Sequence, residues 1–212
     1  MFDLDALTTD LGALLDYPTA RKGNGAQPVL YTVRSDETGF LVGVKLSKNA
    51  GSDTTLTIFS GAGPRDGSGK RLRPNQTYGE IPKGTWFIVR YGKQKTPAET
   101  FKVLKQQQIL GALGFDIYRA ATQNPLWLSL FRDDGDRIDD LTREGPVVRK
   151  GVRLHFGRVS DGCFTFSKLS GYLKVLALLR KTLPKFYDMD GNPVPKGTPN
   201  ALEVYGKLVV SG

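Results

Sequence analysis

The sequence predicts an α+β chain in which strands dominate and a few helices flank them. Three observations carry that expectation. From about Val29 to Val89 the apolar residues keep the period of strands, β-branched and aromatic between turn formers. A proline-led capping box opens a helix at Thr96, and a leucine-dense segment after Ser170 has the length of another. With 212 residues, 39% of them hydrophobic, the chain can bury a core without staples.

In order along the chain, residues 3–16 read as an amphipathic helix, since Leu4, Leu7, Leu11, Leu14 and Leu15 share a face before Pro18. A polar connector follows, then the strand segments VLYTVR, FLVGVKL, TTLTIF and TWFIVRY. Thr96-Pro97-Ala98-Glu99 starts a helix expected to end near Gly111 to Gly114. LWLSLFR is a strand, Asp134-Gly135 a tight turn, and Val147 to Phe156 a further strand. Ser170 is the expected cap of a largely buried helix through YLKVLALLRKTL, which Pro184 ends. DMDGNPVPKGTPN reads as an irregular connector, and LEVYGKLVV as the last strand. Trp86, Phe87, Trp127 and Phe131 are expected in strand cores.

Thirty basic against twenty-one acidic residues give a net charge of +9, which attracts polyanions without choosing among them. The densest basic run, Lys70 to Arg73, lies in a Gly- and Pro-rich segment and reads as a solvated loop. The N-terminus carries acids where a secretory signal needs bases, and no window approaches the apolar length of a membrane span. The chain is therefore expected to be made in the cytoplasm without a signal peptide. Neither DDGDRIDD nor DMDGN has the spacing of a calcium loop, so both read as turns.

The only histidine and the only cysteine fall in one stretch, LHFGRVSDGCF, Leu154 to Phe164. One cysteine excludes an internal disulfide, and one imidazole with one thiolate is too few for a zinc site, so no metal or cofactor is expected. A lone buried cysteine is ordinarily an inert small hydrophobe, but a thiol paired with imidazole becomes a nucleophile. If the chain turns at Val159 to Gly162 and returns, Cys163 lies opposite the face that Arg153 and His155 share. Gly162 would let a substrate carbonyl approach. Ser160 would hold the turn with its hydroxyl or offer its carbonyl to the second imidazole nitrogen.

His155 followed by Ser160-Asp161-Gly162-Cys163 resembles the His…Ser-x-Gly-Cys signature of YkuD-type L,D-transpeptidases. FSG at 59–61 and GEIPKGTWFIV at 79–89 resemble segments of a shorter branch, the L,D-transpeptidase-like effectors of type VI secretion. The resemblance implies a YkuD-like sandwich or barrel. It divides the chain into an N-terminal helix and connector, 1–27, serving as adaptor, delivery segment or lid, and a catalytic domain, 28–212. It further implies that Cys163 attacks the third residue of a peptidoglycan tetrapeptide stem with His155 as base. D-Alanine leaves and a thioester remains. Water or an amine then resolves it, giving L,D-carboxypeptidase activity or L,D-transpeptidase exchange.

Such an effector acts in the periplasm of a target bacterium as an antibacterial toxin, with an immunity protein and a secretion-apparatus component as partners. The arginine usual after the cysteine is replaced by Phe164-Thr165-Phe166, so Arg153 is the expected carboxylate binder, with Asp161 and Tyr78 also lining the cleft. The glycine usual beside the histidine is displaced to Gly157. The competing expectation is a basic β-rich nucleic-acid-binding module without catalysis. Papain-like peptidases are excluded by their order, cysteine before histidine.

Overall fold

The computed structural model describes residues 27–47, 55–61, 74, 79–90, 96–112, 127–135, 137–157 and 160–212. The amphipathic segment 3–16 and the basic run 70–73 lie outside them. The described elements are β1 (Val29–Arg34), β2 (Leu41–Lys45), β3 (Leu56–Phe59), β4 (Gly84–Arg90), α1 (Pro97–Ala112), β5 (Leu128–Asp133), β6 (Leu141–Glu144) and β7 (Val147–Lys150). They continue with β8 (Arg153–Phe156), β9 (Phe164–Phe166), α2 (Leu169–Leu179), β10 (Lys185–Tyr187) and β11 (Leu202–Val210).

Strands run in the order β1-β2-β3-β9-β8-β5-β4-β11, and a parallel pairing of β1 with β11 closes this sheet into an eight-stranded barrel. β10 extends the sheet from β11, and β6 with β7 forms a separate hairpin. The chain is thus mostly β with two described helices, and of the two expected architectures the closed one is found. Closure matters because it leaves no long unpaired edge among these strands.

The unbroken apolar run of β4 has a physical cause. Trp86 and Ile88 point into the main core with Leu30, Leu154, Phe164 and the α2 residues Leu176 and Leu179. Phe87 and Val89 point the other way, into a smaller cluster with Phe131, Leu202 and Val204. A strand covered on both faces has no reason to alternate. Trp86, Phe87 and Phe131 sit in strand cores as expected.

The capping box at α1 is formed reciprocally. Thr96 N–H donates to Glu99 Oε2 at 2.7 Å, and Glu99 N–H donates to Thr96 Oγ1 at 3.2 Å. α2 is largely buried, and each fully buried leucine there contributes about 1.5–3 kcal/mol. Its N-cap, however, is Lys168 and not Ser170, which lies inside the helix. The helix also stops before Pro184, at Leu179, where Arg180 carries its guanidinium over the Phe101 ring of α1 at 4.1 Å. That cation–π contact ties the two helices together.

The expected strand 147–156 is two strands. Gly151, at φ +79°, breaks it, so that β7 pairs with β6 while β8 joins the barrel. Only glycine takes that backbone conformation without strain. The acidic turn at 188–192 is self-contained: Asp188 Oδ1 accepts the N–H groups of Asp190 and Asn192 at 3.0 and 2.8 Å.

Candidate active site

Strands β8 and β9 carry the histidine and follow directly from the cysteine. They are parallel neighbours, with Leu154 opposite Phe164, His155 opposite Thr165 and Phe156 opposite Phe166. The expected antiparallel return is therefore not formed, yet its main result survives. Alternation along two parallel strands in this register puts Arg153, His155, Cys163 and Thr165 on one face. The residue facing the imidazole is Thr165, and Cys163 is one rung away.

His155 is 4% exposed and fully engaged. Its Nδ1 lies 3.0 Å from the Phe156 carbonyl oxygen, which can only accept, so Nδ1 carries the proton. Nε2 is then an acceptor, and Thr165 Oγ1–H donates to it at 3.2 Å. The Trp127 indole stacks on the ring, centroids 4.1 Å apart and planes 21° from parallel. Burial lowers the imidazole pKa to about 4, against smaller opposing effects from the Phe156 carbonyl and Asp161, so the ring is neutral near pH 7.

Cys163 is half-buried, and its Sγ lies 4.0 Å from the Gly151 carbonyl oxygen. Burial pushes the thiol up to about 11, although the Arg153 backbone N–H, the Arg153 charge and Arg149 favour the thiolate. Imidazole and thiol make no hydrogen bond to each other, and both are neutral. What the arrangement provides is a neutral ring whose Nε2 lone pair is occupied by the Thr165 hydroxyl, on the same face of the sheet as the sulfur.

The turn between the strands is held by Ser160, whose hydroxyl donates to the Cys163 carbonyl at 2.7 Å. Of the two expected roles of Ser160, the structure has the first; the second imidazole nitrogen uses Phe156 instead. Gly162 adopts φ +91°, and a Cβ there would lie 2.9 Å from Arg149 Nη1 and 3.1 Å from the Gly79 carbonyl oxygen. Both backbone shape and space demand glycine.

The two upstream segments meet this turn. Ile81 N–H donates to Ser60 Oγ at 2.7 Å, and Arg149 Nη1 donates to Gly79 O at 2.7 Å. Arg149 also reaches the Pro74 carbonyl. FSG, GEIPKG and SDGC are therefore packed against one another at one end of the barrel. A cavity of about 170 Å³ opens beside them, lined among others by Arg149, Lys150, Gly151, Asp161 and Gly162.

Arg153 forks onto the Asp140 carboxylate, Nη1 to Oδ1 at 2.6 Å and Nη2 to Oδ2 at 3.2 Å. Its guanidinium is directed at Asp140, while Arg149 is the arginine that lines the cavity. Asp161 is exposed at the cavity rim, and Tyr78 lies outside the described residues. Sequence reasoning missed Arg149 and Thr165, and it expected Trp127 in a strand core, whereas Trp127 precedes β5, is half-buried and stacks on the histidine. Thr165 had a legible signal, two residues after Cys163 on the same face. Arg149 had none, because the Gly151 break redirects it.

Fold and site together define a closed, mostly β barrel with a thiol and an imidazole on one face beside a basic cavity. Comparison of the chain with protein-family models, curated proteins and solved structures finds no match.

Proposed function

We propose that this chain is a cysteine-dependent acyl-transfer enzyme acting on peptidoglycan stem peptides, of the YkuD-like kind its motifs resemble. The observation that supports the reading best is the parallel β8–β9 pairing, which puts His155 and Cys163 on one face, with a cavity lined by Arg149 and Gly162 next to Cys163 in the chain. In this reading Cys163 loses its proton toward His155 as its sulfur attacks the carbonyl carbon of the third stem residue. The bond to D-alanine breaks, and the departing amine takes the proton back. Water attacking the thioester then releases the trimmed stem and restores the thiol; a D-amino acid doing so gives exchange.

The resting thiol and imidazole are both uncharged, so a bound substrate has to bring the acid and base into use. A basic cavity beside the thiol suits a ligand ending in a carboxylate, as a tetrapeptide stem does. Delivery by type VI secretion into a rival's periplasm, and an immunity protein in the producer, belong to the same proposal. The nucleic-acid-binding alternative gains nothing from the strand aromatics Trp86, Phe87 and Phe131, which are buried and offer no stacking platform.

Purified muropeptide tetrapeptides incubated with the protein should release D-alanine. Cys163→Ala should abolish the release, and His155→Ala should lower it by roughly two to four orders of magnitude, the ordinary worth of a general base. Release unaffected by Cys163→Ala would sink the assignment. Expression directed to the periplasm should be toxic and cytosolic expression tolerated; equal toxicity in both would remove the cell wall as target.

A further inference from the structure

The β6–β7 hairpin has one edge that is closed and one that is open. Its two-residue turn makes Glu144 and Val147 a hydrogen-bonded pair, so the ladder alternates: Thr142 and Arg149 exchange bonds, while Arg143–Val148 and Leu141–Lys150 do not. The Gly151 N–H, which donates to the Asp140 carbonyl at 3.3 Å, keeps the same alternation one pair further along. The main-chain groups of Leu141, Arg143, Val148 and Lys150 therefore point away from the partner strand.

On β6 these outward groups are met by side chains. Leu141 N–H donates to Asp139 Oδ1 at 2.7 Å, and the Arg143 carbonyl accepts from Arg132 Nη1 at 3.1 Å. On β7 the outward groups of Val148 and Lys150 have no hydrogen-bond partner among the described residues. Both residues are exposed, Val148 at 53%. The cavity of about 170 Å³ follows this strand, lined by the unbroken run 147–152 together with Asp161 and Gly162.

Two outward N–H and C=O sets, two residues apart and about 6.6 Å along the strand, form a template that an extended peptide matches with its own backbone. We propose that β7 takes up a peptide as the third strand of this hairpin, with Val148 and Lys150 making the main-chain bonds. The identity of that peptide, a tetrapeptide stem, rests on the acyl-transfer reading. Two cationic residues at the cavity, Arg149 and Lys150, against one acid, Asp161, favour a peptide that carries a free carboxylate. A chain laid along β7 is led to Gly151, whose carbonyl oxygen lies 4.0 Å from Cys163 Sγ.

The test is amide hydrogen exchange read residue by residue by NMR, in the full chain carrying Cys163→Ala so that a muropeptide tetrapeptide binds without being consumed. Without ligand, the Val148 and Lys150 amides should exchange like those of an open chain, while the Val147 and Arg149 amides, bonded to β6, are protected. With about 10 mM tetrapeptide, the Val148 and Lys150 amides should slow at least about ten-fold. Val148→Pro in the same background removes one outward donor at an edge position that tolerates proline. It should weaken tetrapeptide binding roughly three- to ten-fold with the Arg149 amide still protected.

Val148 and Lys150 amides that exchange equally fast with and without the tetrapeptide overturn the proposal, and that outcome does not depend on the proline variant folding. Unchanged affinity in a Val148→Pro chain whose Arg149 amide is protected also overturns it. If both amides slow but the chain with Cys163 in place releases no D-alanine, the β7 edge stands as a peptide site and the acyl-transfer reading fails. If D-alanine is released while neither amide slows, the edge proposal fails and that reading stands.

Discussion

His155 is buried in neutral form, and this decides how the chain responds to acid. Its folded pKa of about 4 lies below the 6.5 of an unperturbed imidazole, so the unfolded chain takes up the proton first. The contribution of the neutral ring is fully present above about pH 6.5 and is lost as the pH falls toward 4, in all about 3 kcal/mol. Cys163 gives the opposite limb: its raised folded pKa means a contribution present below the ordinary thiol range and lost as the pH rises through about 11. Urea unfolding at about pH 7 and about pH 4.5 should show a smaller acid loss in His155→Gln than in the wild type. Equal losses in the two proteins would mean that the imidazole is charged in the folded state.

Among the elements, the short β3 and the segment leading into β4 contribute more than their length suggests. Ser60, at the end of β3, is buried and accepts the Ile81 N–H; Glu80, buried between them, pairs with Arg34 at 2.8 Å and accepts Leu41 N–H at 2.6 Å. These contacts hold Gly79 where its carbonyl receives Arg149. Ser60→Ala leaves a buried N–H without this acceptor and should cost about 1–3 kcal/mol, measured by urea unfolding. A cost near zero would show that the segment is held by packing alone. The capping box of α1 was legible because its four residues are contiguous, whereas the Ser60–Ile81 bond joins segments twenty-one residues apart. The same distinction explains α2: leucine density marked the helix, but its first residue depends on how β9 enters it, so Ser170 was a misleading cap.

For the whole molecule, the decisive feature is closure of the barrel through β1 and β11. β11 shifts register between Val204 and Gly206, and Lys207 N–H donates to the Pro28 carbonyl at 3.0 Å. A Cβ on Gly206 would lie 2.8 Å from that carbonyl oxygen and 3.1 Å from Leu179 Cδ2. Gly206→Val should therefore force the two strands apart, costing roughly 2–3 kcal/mol and speeding amide exchange in β1 ahead of the rest of the barrel. Uniform exchange across the sheet would show that closure is not a separate source of stability.

Local pattern by itself determined most of the elements and singled out His155 and Cys163. The strand periods of 29–34, 41–45 and 202–210, the Thr96 box and the face shared by Arg153 and His155 depend on neighbours in sequence, and each is present. Tertiary structure alone decided that β8 and β9 run parallel, that Thr165 and not Cys163 meets the imidazole, that Trp127 stacks on it, and that Arg149 and not Arg153 lines the cavity. The reason is that strand pairing and the direction of a chain after a left-handed glycine are set by contacts between distant segments, which no short window of residues contains.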